Sequence, residues 1–217
     1  MALSAARFML KKGEVAVIWD SLPEPLADGA EFHSWNLEDG AAVAAQISSL
    51  EPELVLFFVE ARDGASLLEN PGDYCGVFER CYFGSVLAAK AASSHLCVQG
   101  RGTLILGSLA QGLSCGGNLS PVAALDWALA ALGESLSAEL KASDVKVQVL
   151  RANRASESDL IRGISEALKS DAVDIYPQIR GRIQHMSRRV APALITRTVD
   201  DRFKNASFDT VLVTGAS

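Results

Sequence analysis

Six short runs, spaced so that a helix-length stretch falls between most of them, constrain this chain more than any other feature. They are residues 15–19, 31–36, 54–59, 103–106, 145–150 and 208–214, and most are apolar and β-branched or aromatic. Such runs bounded by turn signals read as strands. Between them lie segments of helical character. Residues 3–12 close on Lys11-Lys12-Gly13, a basic last turn and a glycine stop. Residues 41–50 follow a capping stretch from Asn36 to Asp39, and residues 74–96 carry Val77, Phe78, Cys81, Val86, Leu87 and Ala91 near helical spacing. Helices are also expected over 121–140, opened by Pro121, over 158–168, and over most of 177–202, with Pro192 as a break.

Strands alternating with helices of 10 to 20 residues specify a parallel sheet wound by right-handed crossovers. At 217 residues the chain is too short for a barrel of eight such units. The expected fold is therefore α/β: one domain over 1–217, a doubly wound parallel sheet in three layers.

The last ten residues complicate that picture. A strand over 210–214 followed by Thr214-Gly215-Ala216-Ser217 has the character of the central first strand of a dinucleotide-binding sheet, whose glycine turn opens the phosphate loop. Here it comes last, and no GxGxxG or GxxxGxG pattern occurs anywhere. Without a first strand, the strand at 15–19 would border an empty central slot, with buried backbone groups unpaired at ~1–3 kcal/mol each. We therefore expect residues 210–214 in that slot, with Val211 and Val213 buried between 15–19 and 54–59, as in a circular permutation. Two alternatives stay open. Residues 208–217 can form an ordinary last strand beside 145–150. The chain can also be a segment of a longer protein in which Thr214-Gly215-Ala216-Ser217 begins a complete reductase.

From Ser4 to Leu150 the order of elements and many residues resemble the short-chain dehydrogenase/reductases. The stretch from Asp73 to Ala92 looks like their long central helix, Gly100-Arg-Gly-Thr-Leu-Ile-Leu-Gly-Ser108 like the strand that delivers their catalytic serine, and residues 133–149 like the helix and strand that follow. The resemblance implies a Rossmann-like fold and a ketoreductase-like chemistry in which a tyrosine donates a proton while a nicotinamide supplies hydride. It places the serine on Ser108. It places the tyrosine on Val122 (or Pro121), the lysine on Asp126, the asparagine of the long helix on Cys81, and the Asn-Ala-Gly turn on Val59-Glu60-Ala61. Three of four catalytic positions thus lack the required chemistry, and Ser108 reads as vestigial. For a cofactor, Asp20 stands where a carboxylate can bond an adenosine ribose, and Asn36 where an adenine contact is made, or else a plain helix cap. Thr214 and Gly215 would open the phosphate loop.

Composition narrows the rest. The net charge is −6, with residues 151–217 holding 11 Lys/Arg against 8 Asp/Glu, so residues 1–150 carry −9. An acidic body gives no basic face for nucleic acid. The basic tail reads first as a solvated helix face. Cys75, Cys81, Cys97 and Cys115 show no metal spacing or disulfide framework, which implies a cytoplasmic or other reducing compartment and no metal site. No run spans a bilayer, and the N-terminal charges follow the apolar residues, the reverse of a secretory signal. His95 reads as a satisfied helix-end histidine. The expected function is a non-catalytic short-chain dehydrogenase/reductase-like component of a larger assembly, without cofactor. The alternative is an NAD- or NADP-dependent half-domain completed by another segment or chain. A protein partner or second copy is expected on the helices near 74–96 and 121–140, where Phe83, Trp127 and Leu132 lie.

Overall fold

The computed structural model describes residues 2–12, 17–20, 31–34, 39–58, 72–108, 120–151, 156–179, 182–183 and 186–187. Along the chain these form α1 (Ala2–Lys11), β1 (Val17–Asp20), β2 (Glu31–Ser34), α2 (Gly40–Leu50), β3 (Leu54–Phe58), α3 (Gly72–Val77), a π-helical turn (Phe78–Phe83) and α4 (Gly84–Gln99). There follow β4 (Gly102–Ser108), α5 (Ser120–Glu139), β5 (Val145–Arg151), α6 (Glu157–Lys169) and β6 (Asp174–Ile175).

Among the described residues every strand pairing is parallel. β1 pairs with β2, and the remaining strands run in the order β3-β4-β5-β6. Period-two burial sorts the central strands into two faces, as a sheet covered on both sides requires. On one face Val55, Leu104, Leu106, Val145 and Val147 pack with Val43 and Ile47 of α2 and with Ala89, Ala92 and Leu96 of α4. On the other, Ile105 and Leu150 pack with Ala5 of α1 and with Leu160, Ile164 and Ala167 of α6, against Leu54, Leu56 and Phe58. Helices on both faces of a parallel sheet make the fold a doubly wound α/β structure.

The helix ends follow from local chemistry. Asp39 caps α2, its carboxylate accepting the amides of Ala41 and Ala42 at 3.1 and 3.0 Å. The cap expected at Asn36 thus falls to Asp39, the residue just before the first helical position; Asn36 itself lies outside the described residues. Ser156 caps α6 through the Asp159 amide, and Glu157 and Asp159 in the first turn with Lys169 in the last complement the helix dipole. Leu160 and Ile164 are fully buried on α6. At about 1.5–3 kcal/mol each, they outweigh any difference in helix propensity along its exposed face.

Two readings need correction. The helix expected over 74–96 is not regular, because a π-helical turn separates α3 from α4. The sequence also hides β6, which pairs with β5 at Val149 and Leu150 and is the end strand of that group among the described residues. The amide of Val149 donates to the Val173 carbonyl at 2.6 Å, and the side chains of Lys146 and Gln148 both reach the Ser170 carbonyl. Residues 208–217, expected either in the central slot or beside 145–150, lie outside the described residues. The proposed burial of Val211 and Val213 concerns residues outside those described.

Candidate functional site

β4 and β5 are adjacent and in register, with Ser108 opposite Arg151 at their carboxyl ends. β6 ends one strand further on, with Ile175 opposite Leu150. α5 follows the loop after β4 and carries Val122, Leu125 and Leu129 into an apolar cluster. Asp126 lies one turn after Val122 and points at the strand ends.

The Ser108 hydroxyl donates to Asp126 Oδ1. Arg151 Nη1 faces Asp126 Oδ2 at 3.5 Å, and Arg151 Nε bonds Asp174 Oδ1 at 3.2 Å. The guanidinium also stands 5.3 Å from the Trp127 ring and 5.9 Å from that of Tyr176. Burial is nearly complete: the side chains of Arg151, Asp126 and Asp174 are 1, 2 and 17% exposed. One cation thus lies between two carboxylates in a medium where removing either sign leaves an uncompensated charge. Cation–π contact adds about 0.5–2 kcal/mol.

A serine hydroxyl has a single proton to give. Here it goes to a carboxylate, the strongest acceptor on offer, so a carbonyl placed beside Ser108 would have to compete for it. Val122 is 2% exposed and shares its cluster with Val77, Leu125 and Leu129, against which Cys81, Phe78 and Tyr82 pack. The positions that the resemblance gives to the tyrosine and the asparagine are therefore joined in apolar core.

No protein-family model matches the chain, and no curated protein matches it by sequence. Solved structures do match. A short-chain dehydrogenase from Burkholderia cenocepacia J2315, solved in complex with NADP, aligns with a TM-score of 0.74 at 17% identity, covering 91% of this chain and 90% of its own. A short-chain dehydrogenase from Streptomyces avermitilis aligns with a TM-score of 0.74 at 16% identity over 90 and 91% of the two chains. The fold is that of the short-chain dehydrogenase/reductases. A further structure, described as a short chain dehydrogenase/reductase family protein, gives 0.70 at 17% identity over 80 and 89%. In all, 1120 solved chains share the likeness, so it selects no activity among them.

At the positions that the resemblance assigns, Ser108 is bound to Asp126, a carboxylate stands at the place given to the lysine, and Val122, at the place given to the tyrosine, lies in apolar packing. Asp20 closes the carboxyl end of β1, in register with Ser34. Asn36, Thr214 and Gly215 lie outside the described residues, as do Val59, Glu60 and Ala61. Among the described residues no group of three or more His, Cys, Asp and Glu side chains could hold a metal, and no helix is long and apolar enough to cross a membrane. His95 meets Gln99 Oε1 at 3.0 Å, one turn along its own helix.

Sequence reasoning found Ser108 and Asp126 but missed Arg151, Asp174 and Tyr176. The available signal was faint: Arg151 is a charged residue continuing the apolar run that ends at Leu150. On the surface, Phe83 is 56% and Trp127 41% exposed, whereas Leu132 packs against the core beneath α5.

Proposed function

We propose that this chain is a non-catalytic short-chain dehydrogenase/reductase-like protein that serves as a structural or regulatory component of a larger assembly. The observation carrying this reading is the Ser108 proton held by Asp126 within a buried, Arg151-centred charge cluster. An enzyme of this fold keeps that proton for its substrate. Here the polar groups at the site satisfy one another, which stabilises a scaffold. The exposed rings of Phe83, at the end of the π-helical turn, and of Trp127 on α5 support association through the helical segments near 74–96 and 121–140, with a second copy or a protein partner. Among the described residues Cys75 and Cys97 are in no disulfide, in keeping with a reducing compartment.

The test is turnover. Purified protein with NADH or NADPH and a panel of ketones and 3-ketoacyl thioesters should show no oxidation above background, and Ser108→Ala should leave that background unchanged. Turnover that Ser108→Ala abolishes would overturn the proposal.

A second reading, an NAD- or NADP-dependent oxidoreductase half-domain completed by another segment, is favoured by one observation. The likeness to the NADP complex extends over nine-tenths of both chains, with Asp20 at the end of β1. Calorimetry separates the two. Low-micromolar NAD(P)(H) affinity that Asp20→Ala weakens supports the half-domain; heats indistinguishable from dilution support the scaffold.

A further inference from the structure

β6 ends at Ile175, and the chain leaves the sheet through Tyr176 and Pro177, both buried. Beyond them Ile179, Arg182, Ile183, Met186 and Ser187 have helical backbone. The Arg182 amide donates to the Gln178 carbonyl at 3.2 Å and the Ser187 hydroxyl to the Ile183 carbonyl at 2.8 Å, each four residues back along the chain. Polar bonds strap this stretch to α6. Arg162 Nε donates to the Pro177 carbonyl at 3.1 Å, Gln178 Nε2 to Asp159 Oδ2 at 3.0 Å, and Arg182 Nη2 to Glu166 Oε1 at 2.7 Å. The apolar side chains point elsewhere: Ile179, Ile183 and Met186 are 79, 58 and 58% exposed. At about 100° per residue they fall within roughly 60° of one another and form one stripe. A surface helix ordinarily turns such a stripe to the core, and this one turns it to solvent.

Charge and shape decide what can cover the stripe. The sequence from 175 to 199 holds five Arg and no Asp or Glu. On α6, Asp159 is engaged by Arg162 and Gln178, and Glu166 by Arg182. A second copy laying its own stripe on this one would bring two cationic segments together. A partner that closes a groove around the helix would need the side already strapped to α6. A flat anionic surface meets neither obstacle, since it attracts the segment and touches only the outward stripe. We propose that Ile179, Ile183 and Met186 dock on an anionic lipid surface, the helical stretch lying in the headgroup plane and drawn there by the cationic segment that carries it. The contact is peripheral: three side chains enter the interface while the strap to α6 keeps the stretch on the folded body.

Co-sedimentation of the intact 217-residue chain with lipid vesicles tests this. Phosphatidylcholine vesicles with about 30 mol% phosphatidylserine should bind it at least about tenfold more tightly than pure phosphatidylcholine, and the preference should shrink as salt rises. Ile179→Gln/Ile183→Gln/Met186→Gln should lose at least about tenfold in affinity, with Tm within about 2 °C of wild type because all three residues are exposed. The single change Ile183→Gln, milder for the fold, should lose about threefold. A wild-type chain that ignores the anionic vesicles overturns the proposal and leaves an acidic protein surface as the occupant. Affinity that the triple variant retains also overturns it. So does a wild-type dimer that the triple variant dissociates in light scattering, which assigns the stripe to a second copy.

Discussion

Replacing Arg151 with Met removes the cation from a site where two carboxylates face it. Asp126 is 2% exposed and cannot recruit water to replace the lost partner. Breaking a buried pair from one side costs about 3–5 kcal/mol. Loss of the contacts with Trp127 and Tyr176 adds about 0.5–2 kcal/mol. Asp174, at 17% exposure, is partly hydrated and adds little. The sum, about 3.5–7 kcal/mol, is a large part of the 5–15 kcal/mol that holds a domain together. At about 2–4 °C per kcal/mol for a chain of this length, Tm should fall by roughly 10–20 °C. The double variant Asp126→Leu/Arg151→Met removes both charges and fills the space with apolar atoms. It should lose less than either single change, leaving Ser108 without its acceptor at about 1 kcal/mol. Urea denaturation of all four proteins at pH 7, followed by circular dichroism, gives the coupling energy, expected at about 2 kcal/mol or more. An Arg151→Met protein within about 1 kcal/mol of wild type, or losses that simply add, would refute a charge cluster that stabilises the fold.

Gly133 lies where an added Cβ would sit 2.1 Å from Val149 Cγ2, so Gly133→Ala should cost about 1–3 kcal/mol in thermal melts, with Val149→Ala on the same chain recovering part of it. The Asp159 carboxyl is held below the usual carboxylate range by the Gln178 amide first and then by Ser156. Its contribution is therefore present above the unfolded carboxylate pKa of about 3.9 and lost as pH falls through the lower folded value. Asp159→Asn should flatten the acid limb of the stability curve and leave the neutral region's slope unaltered. Asp39→Ala should destabilise by about 1 kcal/mol in urea titrations, as the loss of a helix cap does. If the helical segments near 74–96 and 121–140 carry an interface, Phe83→Ser should shift the mass seen by light scattering toward the monomer; a wild-type chain already monomeric at high concentration removes that reading.

The sheet was legible wherever burial imposed its own period. β4 is apolar on both faces because helices cover both, β5 buries Val145, Val147 and Val149 on one of them, and α6 writes its buried stripe at Leu160, Ile164 and Ala167. β6 left no such trace, since a strand of two residues has no period and exists only through its ladder with Val149 and Leu150. The site divides along the same line. Ser108 could be placed from the strand that ends on it, and Asp126 from its spacing within α5. Their partners come from β5 and β6, 25 and 48 residues beyond Asp126, and are delivered by strand register, which no local pattern announces. The cap at Asp39 was within reach, because it directly precedes the first helical residue.

The π-helical turn at Phe78–Phe83 sets the phase of everything that follows it. An extra residue in one turn displaces the downstream face by one position, about 100° around the axis. Upstream, α3 meets α5; downstream, α4 meets α2 and the sheet, with Ala88, Ala89, Ala92, Ser93 and Leu96 inward. One continuous rod thereby serves two neighbours that a uniform winding could not address together. Shortening this turn by a single residue would restore ideal winding and rotate the small-residue stripe of α4 away from β4, so an insertion elsewhere in the chain's loops is tolerable where a deletion here is not.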